Sequence, residues 1–451
     1  MSSNALDSLI DSIHSRLDNV GRTLSLTTAG VTILVFLLPF IAVLIFALTQ
    51  QEDPLPPPPG CRKLGLQRKS NFSDQYSKKY SQGGDPGTDN TGSPLWKVKA
   101  LFIYPLKSCT GVELDKAEVI RTGLKYDRQF TLGQYVTGLP SLQGKVESEW
   151  NFVTQRTFPR LAKVETEIWV PDREAPGYSP DAEYVKNEGC LVIRFPFSPD
   201  VDFSIDGFKA YGRIFAAKLA GKPEPMVEFR VPFNPTKERI KKMKYKSENI
   251  KIWKDMPEAL NMGCEVPEEV MAKLKYTLGV TNPLTLFRID TTRYREVYKC
   301  APKEKDVGFQ TIIGMADSYP MHIMNLASVH HVASQLPKGS MKLNALRYRA
   351  NVYITGPPAF SEDSWAKARI GNGTYHISCR TTRCKLPNVD PETGIADRNE
   401  PGTTMRKYRV IDKGSQSPCL GMQVTPLTEG EVKIGAEVEL LEEGEHFFLK
   451  V

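Results

Sequence analysis

The segment "LFIYPLKSCTGVELDKAEVIRTGLKYDRQFTL" (residues 101–132) decides the fold class. Short runs of apolar and β-branched residues alternate in it with turns rich in Gly, Asp and Lys. This alternation is typical of antiparallel β-barrels and sandwiches. The stretches "FVTQRTFPRLAKVETEIWV" (152–170) and "GCLVIRFPF" (189–197) continue the pattern. The sequence therefore predicts a β-rich α+β fold.

Three further segments give predictions for the rest of the ordered chain. The stretches "PEEVMAKLKYTLGV" (267–280) and "MNLASVHHVASQL" (324–336) predict short amphipathic helices. Near the C-terminus, "EVKIGAEVELLEEGEHFFL" (431–449) has two alternating runs around a Gly-Ala turn, which predicts a β-hairpin. The basic segment 234–254 is interpreted as a solvated surface insertion, or alternatively as a patch facing anionic lipid or an acidic partner.

The N-terminal region contains a long apolar segment. No charged residue lies between Thr23 and Gln51, and "AGVTILVFLLPFIAVLIFAL" (29–48) is almost wholly apolar. About 20 such residues match the hydrocarbon thickness of a bilayer. We therefore predict that residues 1–50 form an amphipathic segment and a single transmembrane helix, followed by a flexible linker over residues 51–95. Basic residues at 62–69 favour a cytosol-facing catalytic portion.

The composition excludes several functional classes. The 451 residues carry a net charge of +7 without a basic run interleaved with aromatics, so nucleic-acid binding is not expected. The eight cysteines form no CxxC pair and no Cys/His cluster, which argues against zinc. No GxGxxG after a strand, Walker A loop or CxxCH motif occurs. A redox function would therefore need another cofactor and an outside source of electrons.

Four short stretches combine small polar residues with isolated cations. They are "YPLKSCTG" (104–111), "YDRQF" (126–130), "RYRANV" (347–352) and "TTRCKL" (381–386). Lysine and arginine beside hydroxyl groups suit a phosphate, and a cysteine thiolate suits a soft or high-valent metal. Taken singly, each cation also fits a surface charge, and Cys384 also fits a small buried apolar residue.

As an ordered set, these stretches resemble a known family. Residues 101–132 resemble the opening of the β-barrel domain that precedes MOSC domains. The blocks that resemble the MOSC domain itself are "DSYPMHIMNLAS" (317–328), "RYRANVYITG" (347–356), "EDSWAKARIG" (362–371), "RCKLPNVDPETG" (383–394) and "SPCLGMQV" (417–424). The chain is thus similar to the mitochondrial amidoxime-reducing component (mARC) family of molybdenum enzymes. This resemblance implies a MOSC N-terminal β-barrel domain at 96–305 and a MOSC β-barrel domain at 306–451.

The resemblance also implies a set of site residues. Cys384 would ligate molybdenum, with Arg383 beside it supporting the anionic form of its sulfur. The residues expected to hold the molybdopterin part of the molybdenum cofactor are Lys107, Ser108, Arg128, Ser328, Arg349, Asn351, Thr382 and Arg383. Asp390 either forms the turn behind the metal or acts in catalysis, and both alternatives stay open. Two departures from the family pattern, Ala350 for a proline and Gln423 for an aromatic, bear on cofactor contacts.

The implied function is the reduction of small N-hydroxylated compounds. Electrons would come from a cytochrome b5-type donor and its reductase, and the mitochondrial outer membrane is favoured over the endoplasmic reticulum. An alternative is a molybdenum cofactor or sulfur carrier of the MOSC type that binds without turnover. The chain has no room for a pyridoxal phosphate-binding desulfurase domain, so that cofactor is not expected. A third alternative is a membrane scaffold that has lost its cofactor.

Overall fold

The computed structural model describes residues 3–49, 54–140 and 146–449. It divides into two compact units. The first comprises Met1–Pro54 and Phe197–Met226, and the second comprises Leu55–Pro196 and Val227–Val451. Every site residue predicted above belongs to the second unit.

Eight α-helices lie in the described residues. In chain order they are α1 Ser3–Thr49, α2 Glu183–Lys186, α3 Ile205–Leu219, α4 Lys237–Met243, α5 Glu268–Leu278, α6 Glu304–Val307, α7 Leu326–Ser334 and α8 Gly402–Tyr408. Short 3-10 turns occur at Lys78–Tyr80, Pro159–Lys163, Gly263–Glu265, Ala345–Tyr348, Ser361–Ser364 and Leu386–Asn388. The helices predicted over 267–280 and 324–336 are confirmed as α5 and α7.

The predicted transmembrane helix is corrected. Across the parts of the chain that the structure describes, none of the helices has both the length and the apolar character needed to cross a membrane. The apolar stretch 29–48 lies within α1, a continuous helix that also contains the charged residues between Asp7 and Arg22. Pro39 lies inside that helix. Gln50, the last residue of the predicted segment, lies outside the described residues.

The β-strands build the second unit. The first ten are β1 Cys61–Lys63, β2 Lys97–Ile103, β3 Val112–Leu114, β4 Lys116–Ile120, β5 Gly123–Leu124, β6 Phe130–Thr137, β7 Ser148–Phe152, β8 Glu165–Pro171, β9 Cys190–Pro196 and β10 Met226–Pro232. The next six are β11 Lys246–Lys251, β12 Glu258–Asn261, β13 Leu284–Ile289, β14 Arg295–Val297, β15 Thr311–Ile313 and β16 Met321–Asn325. The last six are β17 Val352–Thr355, β18 Trp365–Ile370, β19 Gly373–Thr382, β20 Cys419–Pro426, β21 Gly430–Lys433 and β22 Val438–Glu443.

Five of these strands close a barrel in the order β11-β12-β13-β6-β7. Every residue of β13 is buried, as expected for a strand whose two faces are both covered. Ile250, Phe287, Ile289 and Met315 form the barrel core. Gly133 in β6 is required there, because a Cβ atom would lie 2.8 Å from the Phe287 ring. The predicted N-terminal β-barrel is confirmed.

The C-terminal half is built on an eight-stranded sheet rather than a second closed barrel. Its strand order is β22-β18-β19-β20-β16-β17-β2-β3, so β22 and β3 are its edges. Strand β2 pairs antiparallel with β17, which joins the start of the first predicted domain to the sheet of the second. This pairing brings the loop that follows β2, with Lys107 and Ser108, to the loops of the C-terminal half.

Three other predictions are corrected by strand pairing. The predicted linker over 51–95 contains β1, which pairs with β8, and Phe72, which is 2% exposed inside the main core. The predicted C-terminal hairpin does not form, because β21 pairs with β4 and β22 pairs with β18. The basic segment 234–254 is mostly solvated, as predicted, but it is not an insertion, since it contains β11 of the barrel.

Glu362 gives the stability of this fold a pH dependence. Its carboxylate accepts hydrogen bonds from Ser328 Oγ at 2.6 Å and Asn325 Nδ2 at 3.1 Å. Burial, with a contribution from Asp363, raises the pKa of Glu362 to about 7. The pKa is raised on folding, so the folded state holds the extra proton and loses stability as pH rises from the unfolded value towards 7.

We expect Glu362→Gln to remove this loss. Relative to wild type, the free energy of unfolding of the variant should rise by about 3 kcal/mol between acid and mildly alkaline pH, at about 1.4 kcal/mol per pKa unit. Urea unfolding on either side of neutrality measures the change, with the exposed Glu431→Gln as control. Equal pH profiles for Glu362→Gln and wild type would contradict the assignment.

Candidate functional site

A cavity of about 810 Å³ collects the predicted site residues. Its walls come from the loops after β2, β11 and β19 and from the segments that lead into β6, β16 and β17. The predicted residues that line it are Lys107, Ser108, Arg128, Arg349, Asn351, Thr382, Arg383 and Cys384. Side chains that are far apart in sequence are thus brought together.

Ser328 is placed elsewhere. It lies on α7 with no exposed surface and is not among the residues that line the cavity. Its hydroxyl donates to the Glu362 carboxylate and accepts a hydrogen bond from Phe360 N at 2.8 Å. Because the fold uses this hydroxyl, we assign Ser328 no contact with a ligand in the cavity.

Arg349 has an unsatisfied buried donor. It adopts a left-handed backbone conformation with φ of 52°, and its guanidinium stacks 4.2 Å from the centre of the Tyr104 ring. Nη1 donates to Cys109 O at 2.6 Å. Nη2 is buried and has no hydrogen-bond partner within the described ranges. An unpaired buried donor on a cation is costly, so this atom is suited to an acceptor on a bound anion.

Arg128 is the second cation held against Tyr104. Its φ of 46° is also left-handed, and its guanidinium lies 5.0 Å from the ring centre. It donates to the Asp127 carboxylate, to Asn351 Oδ1 at 3.1 Å and to Arg349 O at 3.1 Å. The Asn351 amide also donates to Phe102 O. Asn351 therefore fixes Arg128 and links the strands rather than presenting a free amide.

Lys107 is a buried amine with a lowered pKa. The side chain is 5% exposed, and Nζ donates to Met315 O and Asp317 Oδ1, each at 2.7 Å. Burial lowers the pKa of Lys107 to about 8, although Asp317 opposes the shift. Burial acts to raise the pKa of Asp317, but Lys107 holds it well below its usual range. The neighbouring Ser108 has a left-handed φ of 66°.

The end of β19 presents the candidate metal ligand. Cys384 is exposed, and its sulfur accepts a long hydrogen bond of 3.4 Å from Leu386 N. Arg383 donates to Leu420 O at 2.9 Å, to Tyr348 O at 3.2 Å and to a histidine ring described below. Burial lowers the pKa of Arg383 to about 10. Thr381 Oγ1, also in the cavity wall, is buried without a partner in the described chain.

The cavity wall carries more cations than carboxylates, although Asp127 and Asp412 behind it pair with Arg128 and Arg380. Its cations are Lys107, Arg128, Lys254, Arg295, Arg349, Arg380 and Arg383, and its carboxylates are Asp255 and Asp317. Guanidinium and ammonium groups that outnumber carboxylates in a concave site favour a phosphorylated or otherwise anionic ligand. With an exposed thiol in the same wall, the arrangement suits an anionic group that also carries a soft or high-valent metal.

The acidic turn after Cys384 is fixed by hydrogen bonds from residues outside the cavity wall. Asp390 Oδ1 accepts from Glu392 N and Thr393 N, each at 2.9 Å, and its other oxygen accepts from Arg347 at 2.6 Å. Arg347 also donates to Pro387 O at 3.1 Å. Asp390 is not among the residues that line the cavity. This geometry favours the turn-forming alternative over the catalytic one.

The two departures from the family pattern have local explanations. The backbone N–H of Ala350 donates to the Tyr353 hydroxyl at 3.1 Å, a bond that a proline could not make. Gln423 lies on β20 and lines the cavity.

Several lining residues escaped the sequence analysis. His322 and Asp317 lie inside a quoted block, but nothing in the spacing distinguished them. Trp253 donates from Nε1 to Asp317 Oδ1 at 2.9 Å, and it belongs to the basic segment that was interpreted as a surface feature. Because Lys and Arg around it dominate the local composition, a single tryptophan gave little indication of a site.

Comparison with known proteins gives two domain matches. Residues 95–218 match the MOSC N-terminal beta barrel domain, and residues 310–439 match the MOSC domain. The chain is 24% identical over 352 residues to mitochondrial amidoxime-reducing component 1 of Danio rerio, covering 76% of this chain and 83% of that protein. It is 23% identical over 399 residues to mitochondrial amidoxime reducing component 2 of Bos taurus, covering 85% and 95%.

A second kind of relative matches the same region. The chain is 22% identical over 321 residues to the molybdenum cofactor sulfurase of Oryza sativa subsp. japonica. The match covers 69% of this chain but 31% of that longer protein. The chain is therefore similar to proteins named for two different activities.

The lowered pKa of Lys107 predicts pH-dependent anion binding. Without its cofactor, the protein should bind inorganic phosphate roughly tenfold more weakly at about pH 9 than at neutral pH, because about a tenth of an amine stays protonated one unit above its pKa. Calorimetric titration measures this. Lys107→Arg should keep its affinity over the same range, since a guanidinium stays charged. A wild-type affinity that does not change with pH would contradict the prediction.

Proposed function

Because the chain is a MOSC-domain protein homologous to the mitochondrial amidoxime-reducing components over most of its length, we propose that it is a molybdenum-cofactor oxidoreductase that reduces N-hydroxylated compounds. The observation that carries the proposal is the exposed Cys384 thiol in a cavity whose wall is dominated by cations. A pterin phosphate and a thiolate-bound metal need this combination of hard cations and one soft ligand.

Different residues would bind the phosphate and the metal. Lys107, Ser108 and the unpaired Nη2 of Arg349 would hold the phosphate, and Asn351 keeps Arg128 in place beside them. Cys384 would ligate the metal, and the turn held by Arg347 and Asp390 fixes its position. When bound, the molybdenum cofactor supplies two-electron redox chemistry. The chain itself binds, orients and screens the anionic charge.

The size of the cavity supports a small substrate. At about 810 Å³, it lies in the upper part of the usual range for small-molecule sites, about 300–1,000 Å³. It therefore has room for a compact N-hydroxylated molecule beside a pterin-sized group. Reduction of an N–OH group consumes two electrons and two protons and yields the N–H compound and water. We propose that a cytochrome b5-type protein and its reductase deliver the electrons, and that the protein acts at mitochondria, as its relatives' names indicate.

A carrier function is the second candidate. The similarity to the molybdenum cofactor sulfurase favours it, because the matched region is a minor part of that protein and so need not hold its whole activity. A carrier would bind the cofactor at Cys384 and show no turnover. The two functions therefore differ in one measurable property, which is reduction of an N-hydroxylated compound by the purified protein.

We expect the wild-type protein to contain near-stoichiometric molybdenum and to reduce N-hydroxybenzamidine when cytochrome b5, its reductase and NADH are supplied. Cys384→Ser should abolish the reduction, because a neutral hydroxyl replaces the thiolate ligand. Elemental analysis and product formation measure the two properties. Cys264→Ser is the matched control, because Cys264 is another exposed thiol and does not line the cavity.

Full activity of Cys384→Ser would refute the ligand assignment. Stoichiometric molybdenum in the wild type without any turnover, with the donor system shown to be competent, would favour the carrier.

A further inference from the structure

His322, on β16, contacts Arg383 inside the cavity. Its Nε2 atom lies 2.6 Å from Arg383 Nη2. A guanidinium has no acceptor atom and keeps its protons, so Arg383 is the donor in this bond. Nε2 therefore carries the lone pair, and the imidazole is neutral with its proton on Nδ1.

The surroundings keep this imidazole neutral. His322 is 5% exposed, and burial, aided by the charges of Arg383 and Arg128, lowers its pKa well below the usual range. The backbone around it is fixed as well, since His322 N donates to Asn351 Oδ1 at 3.1 Å. The ring therefore acts as a fixed, uncharged acceptor.

Arg383 lacks the carboxylate partner that three other arginines of this unit have. Arg347 pairs with Asp390 at 2.6 Å, Arg409 with Asp363 at 2.7 Å, and Arg295 donates to Asp255 at 3.0 Å. The hydrogen-bond partners of Arg383 are two backbone carbonyls and the His322 ring. Within the described residues, none of these partners is a carboxylate. The charge of Arg383 is therefore held in place but not cancelled.

The neighbouring strand leaves space for the ring. Gly421 on β20 has φ of 75°, and a Cβ atom there would lie 2.5 Å from His322 Nε2 and 2.7 Å from Ile323 O. A side chain at this position would strain the backbone and displace the imidazole. The contact between His322 and Arg383 thus depends on a glycine at this point of β20.

We propose that His322 is a positioning residue. Its neutral imidazole fixes Arg383 without neutralising it, and so keeps the wall beside Cys384 positive for the anionic groups bound there. That these groups belong to a molybdenum cofactor rests on the proposed function. The positive potential at Cys384 does not, because it is a property of the chain alone.

The potential can be measured on the full-length protein without its cofactor. Iodoacetate and iodoacetamide alkylate the same thiolate, so the ratio of their rates cancels the extent of ionisation and reports the local charge. Mass spectrometry follows the labelling of Cys384. The exposed Cys264, which is next to Glu265, is an internal reference. We expect the anionic reagent to be favoured at Cys384 relative to Cys264.

Three substitutions of His322 separate position from charge. His322→Gln offers an amide oxygen to Arg383 and should keep the ratio within about twofold of wild type. His322→Asp places a carboxylate against Arg383 and should lower the ratio at least about tenfold, because cancelling one charge even at about 12 Å, with an effective dielectric of about 20, changes the energy of an anionic reagent by that factor. His322→Leu removes the acceptor without adding charge and should lower the ratio by more than about twofold, because the guanidinium loses the side-chain hydrogen bond that fixes Nη2.

His330→Asp adds the same carboxylate on α7, where His330 contacts Gln75 O at 2.8 Å outside the cavity, and should leave the ratio unchanged. Near-UV circular dichroism checks folding, and His322→Leu retains the test if His322→Asp does not fold. A wild-type ratio in both His322→Asp and His322→Leu would overturn the proposal. Absence of molybdenum binding and turnover in the wild-type protein would count against the proposed function instead, since the labelling ratio needs no metal.

Discussion

The site depends on arginine side chains that are buried without full compensation of charge or hydrogen bonding. One of them, Arg349, lies 4.2 Å from the centre of the Tyr104 ring, which also supports Arg128 at 5.0 Å, a cation that pairs with Asp127. Burial of a cation is unfavourable unless it is paired, and Arg349 Nη2 has no partner among the described residues. The left-handed backbone at Arg128 and Arg349 adds strain at the same place. An anion in the cavity would relieve the largest of these penalties.

The sheet explains how such distant residues meet. Strand β2 lies beside β17 and not within the barrel, so the loop that carries Lys107 and Ser108 faces the segment that carries Arg349. Strand β19 delivers Arg383 and Cys384 to the same wall. The two matched domains thus contribute to one cavity because they share one sheet. Neither the barrel nor the C-terminal strands alone would assemble the cation cluster and the thiol.

The sequence was informative where a motif carries its own chemistry. The Lys-Ser, Arg, Arg-Ala-Asn and Thr-Arg-Cys stretches all reach the cavity. Taken singly, each also fitted a surface charge or a buried thiol, and it was their ordered resemblance to the MOSC family that singled them out. Ser328 was expected to contact the cofactor, but its hydroxyl donates to Glu362, a residue that is distant in sequence and comes close only in the folded chain. The prediction of a C-terminal hairpin was wrong because alternation of apolar residues predicts strands but not which strands pair. His322 was missed because its role is defined by one contact with Arg383, which no local pattern encodes.

The most direct test of an anion site built on Arg349 is to locate a bound oxyanion. Crystals of the full-length, cofactor-free protein grown with tungstate would give an anomalous difference map at the tungsten edge. We predict a peak within hydrogen-bonding distance of Arg349 Nη2, inside the wall formed with Lys107 and Arg128. A cavity without a peak, with Nη2 turned to an acceptor on the protein, would contradict the account.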